Sequence, residues 1–289
     1  MDTVAQNQPS PEEFCISCYL VLYRNALVRY SEGPERLSAD NRETAAQKYA
    51  IEETFARAIV HFPHIEPAVL WNIIHGAHVH RTSGISDVTV ITNVISGEQS
   101  WKKSSGHAFE EFVKEHASAA LANDNIEIIL QRDLNEQIAH GEINNESRDI
   151  DWLKVQIQAN IFDLYAIVHV PQNRKLCFGC IQSKTSIRDR VTRDREPSIA
   201  AMNMYFWSTI ITLDGDFLRL PKFNAMVNGG SDEFPDNGWH GMYVLSEQFT
   251  GNRIYPIDIR FSLFRQHAIE ASRFWLTQRQ WFRGDWIAP

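Results

Sequence analysis

The chain has 289 residues, 44% of them apolar, with 16 Phe, 8 Trp and 8 Tyr, enough for a sizeable core. It has no apolar run of roughly eighteen residues and no basic and apolar leader at its start, so a cytoplasmic protein that does not enter the membrane is expected. The formal net charge of −8 argues against indiscriminate nucleic-acid binding but leaves room for a local basic patch.

In chain order, residues 1–12 are polar and Pro-containing and read as a flexible N-terminus, with residues 13–289 forming a single domain. Helices are expected over residues 12–30 and 38–62, the second carrying the apolar stripe Ala45, Tyr49, Phe55 and Ile59. Another helix opens near Val69. An amphipathic helix follows over residues 104–115, with Phe109, Phe112 and Val113 on its buried side. Residues 126–131 read as a strand and the acidic stretch 135–149 as a loop. Residues 157–170 contain a second strand and 176–183 form a third. The short link Pro171-Gln172-Asn173-Arg174 makes these two antiparallel neighbours. A helix over 198–206, strands over 208–213 and 241–245, and a helix over 264–283 complete the chain. The pattern is α/β, a single mixed sheet flanked by helices.

Four cysteines form two Cys-x-x-Cys pairs, Cys15/Cys18 and Cys177/Cys180. The pairs lie far apart in sequence. Residues three apart on a strand point to opposite faces, so buried free thiols are expected rather than a zinc site. The histidines His61, His64, His75, His78 and His80 find no carboxylate at a familiar metal spacing and read as ordinary surface or core residues. Trp71 and Trp101 read as core residues.

The chemistry concentrates in Gln182-Ser183-Lys184-Thr185-Ser186-Ile187-Arg188-Asp189-Arg190, with Glu196 beyond it. Around it, Arg174, Lys175, Lys184, Arg188, Arg190, Arg193 and Arg195 are opposed only by Asp189 and Asp194. Lys184 should share a strand face with Gln182, and a hairpin can bring Asp163 of the preceding strand beside it. A carboxylate can hold a divalent metal while a lysine supports an attacking water. Arg188-Asp189-Arg190 is donor–acceptor–donor. Arginine can pair with guanine O6 and N7, and a carboxylate can accept from cytosine N4.

This segment resembles the type II restriction endonucleases that read CCGG, CCNGG and related sites, within the PD-(D/E)xK nucleases. In the commonest version of that site a second acid stands two residues before the lysine, where this chain has Gln182. The resemblance implies that a displaced acid, Glu196, replaces it, and that Ser105-Gly106-His107-Ala108-Phe109-Glu110 carries the helical glutamate, Glu110. The catalytic set implied is Lys184, Asp163, Glu196 and Glu110, with Asp163 and Glu196 holding Mg²⁺. Arg188, Asp189 and Arg190 would read base pairs, and products would carry 5′-phosphates. A homodimer on double-stranded DNA and a cognate methyltransferase protecting host DNA are implied as partners. The lysine-to-arginine spacing favours the interrupted CCNGG-like site. Gln182 leaves open a non-cleaving DNA-binding protein on the same fold, or a nuclease that selects structured or modified DNA.

Overall fold

The computed structural model describes residues 9–33, 35–85, 87–185, 191–213, 215–246 and 251–289. Contacts group the chain into two compact units, Met1–Ser100 and Trp101–Pro289. Among the described residues, no helix is long and apolar enough to cross a membrane.

The first unit is helical: α1 (Pro11–Glu32), α2 (Ala39–His61), α3 (Pro67–Ser83) and the beginning of α4 (Val88–Leu121). Helix α1 starts inside the stretch expected to be loose. Ser10 Oγ accepts from the Glu13 backbone N–H while the Glu13 carboxylate accepts from Ser10 N–H, a reciprocal cap that makes Pro11 and Glu12 helical. Tyr19, Leu22, Ala50, Ala58, Leu70 and Ile74 form the core of this unit. Two of the clustered histidines make contacts inside it. The Tyr19 hydroxyl lies 2.8 Å from His78 Nδ1, and His61 stacks on Phe14 with centroids 4.7 Å apart. Burial pushes the Cys15 thiol up to about 11, whereas Cys18 is only half-buried. Trp71 is not a core residue: it is 49% exposed, edge-on to Phe55.

The second unit holds a six-stranded sheet in sequential order: β1 (Ile126–Leu130), β2 (Leu164–Val170), β3 (Arg174–Lys184), β4 (Trp207–Thr212), β5 (Gly241–Val244) and β6 (Ile254–Pro256). The first three strands are antiparallel and the last three join in parallel, giving the mixed sheet expected. Both faces are covered. On one side Phe109, Val113, Ala117 and Leu121 of α4 and Phe264, Ala268, Ala271 and Trp275 of α9 (Ser262–Gln278) pack on Phe178, Ile181 and Trp207. On the other, Leu134 of α5 (Gln131–Ala139), Leu153 and Ile157 of α6 (Ser147–Gln158) and Ala201 of α7 (Val191–Asn203) pack on Tyr165, Ile167, Cys177 and Cys180. Each large apolar side chain buried this way stabilises the fold by roughly 1.5–3 kcal/mol.

Several elements depart from the sequence reading. The acidic stretch 135–149 is a loop only over residues 140–146. It ends α5 and begins α6, because Leu134 and Ile138, four residues apart, give a polar run just enough apolar character to dock. Helix α7 begins at Val191, ahead of Pro197 rather than after it, and contains the proline. Helix α8 (Pro221–Asn228) and strand β6 carry too few apolar residues to declare themselves. Cys177 and Cys180 share one face after all. The β2–β3 register jumps from Ala166↔Gly179 to Ile167↔Cys177, so Phe178 is a bulge residue and the strand's alternation is shifted by one. Gly179 permits the close packing beside the bulge, since a Cβ there would lie 2.9 Å from Ala166 Cβ and 3.2 Å from the Trp207 ring.

Candidate active site

The site is built at one end of the β2–β3 hairpin. Asp163 immediately precedes β2 rather than lying within it. Its backbone N–H donates to Ile181 O at 3.1 Å, and its carbonyl accepts from Gln131 N–H at 3.1 Å. Gln131 also donates through Nε2 to Ile157 O and to Asn160 Oδ1, the latter at 2.6 Å. Asn160 takes a left-handed backbone, φ 50°, which asparagine tolerates better than most residues. The aspartate is therefore held from both sides by a short, fully bonded turn. Sequence reasoning missed Gln131 and Asn160, and an Asn just before a buried strand was the available signal.

Asp163 Oδ2 accepts two hydrogen bonds, from the Ser183 backbone N–H and from Lys184 Nζ, each 2.7 Å long. Both side chains of the ion pair are 17% exposed. The pair expected from the hairpin thus forms, in a place where water is thin and the attraction is strong. Asp163 Oδ1 makes no hydrogen bond among the described residues, so it stays available as a ligand.

Glu110 of α4 joins this pair. Its carboxyl is raised above the usual carboxylate range, first by burial and then by the charge of Asp163, while His107 and Lys184 pull it back. Its Oε2 lies 3.2 Å from His107 Nδ1. Glu110 and Asp163 line a cleft of about 500 Å³ together with His107, Gln131, Arg132 and Asn160. The Arg132 guanidinium sits at its wall, 2.6 Å from Glu111. Two carboxylates that repel each other across an open cleft, one with an unused oxygen, suit a hard divalent cation with a preference for oxygen ligands.

The remaining expectations divide. Glu196 is exposed on α7 and makes no hydrogen bond or ion pair with Asp163, Lys184 or Glu110. Gln182 is completely buried and donates away from the cleft, to Asp194 O. Arg188, Asp189 and Arg190 lie outside the described residues. The dense basic patch is partly spoken for: Lys175 pairs with Glu142 at 2.8 Å, Lys184 with Asp163, and buried Arg195 donates to Met226 O and Asp236 O. Trp101, expected in the core, is 71% exposed and borders an apolar cleft of about 1090 Å³ with Phe109, Leu213, Leu245 and Ile257, beside Thr185.

A family model described as BsaWI restriction endonuclease type 2 matches residues 142–281. Among solved structures, a pre-specific complex of restriction endonuclease BsaWI with DNA is 51% identical and superposes with a TM-score of 0.82, over 97% of this chain and 99% of that one. A specific complex of restriction endonuclease AgeI with DNA is 17% identical, over 92% of this chain and 93% of that one. Its TM-score is 0.44. No curated protein matches the chain significantly.

Proposed function

The chain is a type II restriction endonuclease of the BsaWI family, and we propose that it hydrolyses double-stranded DNA at a palindrome of CC·GG half-sites with Mg²⁺. The observation that carries the chemistry is the Asp163–Lys184 pair beside Glu110 in an open cleft. In this reading Asp163 and Glu196 hold the ion, Glu110 supports it or a water, and Lys184 orients the nucleophile. A bound Mg²⁺ would supply Lewis acidity at the scissile phosphate. Lys184 Nζ, already within hydrogen-bond reach of Asp163, is positioned to donate to an attacking water or to the charge that builds on the phosphate oxygens. Glu110 keeps a raised carboxyl near that water and can take up its proton. Glu196 enters this set only if its exposed side chain turns toward the cleft when DNA is bound.

Arg188, Asp189 and Arg190 are assigned to base reading, with the interrupted CCNGG-like form favoured by their spacing from Lys184. A homodimer would match the twofold symmetry of such a site. A methyltransferase of the same specificity would protect host DNA in the cytoplasm. Lys184→Ala tests the assignment. Cleavage should vanish while binding in a gel shift without divalent metal persists. Undiminished cleavage would remove Lys184 from the mechanism.

A further inference from the structure

Gln182 stands where the commonest form of this nuclease site has an acid, yet its surroundings give it a different task. The residue is fully buried, and both ends of its carboxamide are used. Nε2 donates to the backbone carbonyl of Asp194 at 3.0 Å, and Oε1 accepts from the indole N–H of Trp239, itself fully buried, at 2.8 Å. The partners fix the orientation of the amide, because a carbonyl can only accept and an indole can only donate. A carboxylate at this position would satisfy Trp239 but would face the Asp194 carbonyl with an oxygen of the same sign.

The point that Gln182 grips is a weak one. Pro197 lies inside α7 and has no N–H to give the helix, which normally weakens the turn before it. The helix is thus loosened beside Asp194, two residues before Glu196. The next side chain, Arg195, is buried and anchored from Nε to Met226 O and from an Nη to Asp236 O. Sheet and loop therefore hold this turn of α7 from outside. In sequence, Lys184 and the Arg188-Asp189-Arg190 triplet lie between Gln182 and Asp194, the two residues that the carboxamide contact joins.

We propose that Gln182 is a positioning residue: buried between the Trp239 indole and the Asp194 carbonyl, its carboxamide locks the start of α7 to β3, and the metal role assigned to Glu196 and the base reading assigned to the triplet depend on that lock. The proposal rests on the roles assigned to those residues under the proposed function. It explains why this position cannot carry an acid, and why the acid must come from elsewhere.

The test compares Gln182→Glu, Gln182→Met and Trp239→Phe with the unsubstituted protein. Affinity is measured without divalent metal for the duplex site mapped by digestion and for the same duplex with one G·C pair changed. The ratio of the two affinities does not depend on how much of a variant is folded, so a merely structural role would leave it alone. Gln182→Glu and Gln182→Met should each lower that ratio at least tenfold, and Trp239→Phe, which keeps an aromatic side chain but removes the indole donor with part of the bicyclic ring, about threefold. Single-turnover cleavage by Gln182→Glu should fall by at least a hundredfold. Trp239→Phe decides the matter should the Gln182 variants not fold. A ratio within 1.5-fold of the unsubstituted protein in every folded variant would overturn the clamp, as would a Gln182→Glu variant that cuts as fast as the original. An unsubstituted protein that shows no discrimination would instead overturn the reading of the triplet on which the clamp depends.

Discussion

The Asp163–Lys184 pair can be weighed by a double-substitution cycle of Asp163→Asn and Lys184→Met. The charges lie 2.7 Å apart. At that distance their attraction is about 6 kcal/mol in a medium of effective dielectric about 20, and about 1.5 kcal/mol in water. Both side chains keep 17% exposure, so neither limit applies, and desolvation cancels part of the gain. A coupling energy of about 1.5–3 kcal/mol follows. Lys184→Met alone leaves Asp163 its Ser183 N–H but sets it against the Glu110 carboxyl with no cation between. Asp163→Asn alone leaves a half-enclosed ammonium. The double variant should therefore be more stable than the summed single losses imply. Urea unfolding in metal-free buffer at neutral pH, followed by tryptophan fluorescence, measures this. A coupling below about 0.3 kcal/mol would refute the geometry, because charges that close cannot be energetically independent at this burial.

The cleft makes further demands on the protein. The raised Glu110 carboxyl means that the folded state keeps a proton which the unfolded chain releases, so this group weakens the fold as pH rises from the ordinary value near 4.5 through the folded value. Glu110→Gln should therefore gain in Tm over the unsubstituted protein as pH goes from 4 to 7 in metal-free buffer, while cleavage is lost; a gap that shrinks would contradict the burial of that carboxyl. Glu196→Gln should reduce single-turnover cleavage at least a hundredfold with metal-free DNA binding retained, and an unchanged rate would remove the displaced acid. Arg188→Ala should cost about 1–3 kcal/mol of binding at one G·C pair, measured against single-pair variants of the site, and equal losses on every sequence would make it a phosphate contact.

Much of this was readable in the sequence where local rules were obeyed. The four-residue link between two apolar runs gave the hairpin, and the hairpin gave the Asp163–Lys184 pair. The amphipathic spacing of Phe109 and Val113 placed Glu110 on a helix packed against the sheet. The reading went astray where tertiary contacts outweighed local pattern. A proline normally bounds a helix, yet α7 runs through Pro197 because Gln182 and Arg195 hold its weak turn from outside. The parity rule for Cys177 and Cys180 failed at a bulge, which a single sequence does not announce. Trp101 was read as core by its chemistry alone, but it lies 71% exposed at an apolar cleft. The task of Gln182 was invisible because its partners, Asp194 and Trp239, are distant in sequence and one of them contributes only its backbone.

The central claim is that the Asp163, Lys184 and Glu110 cleft cuts DNA at CC·GG half-sites. Digestion of a DNA of known sequence with the purified protein and Mg²⁺, followed by mapping of every end, tests it most directly. The expected result is discrete fragments whose 5′-phosphate ends all fall at one palindrome containing CC and GG, and none when Mg²⁺ is withheld or Lys184 is replaced by Ala. Smeared products, ends at unrelated sequences, or the same fragments from the Lys184→Ala protein would contradict it.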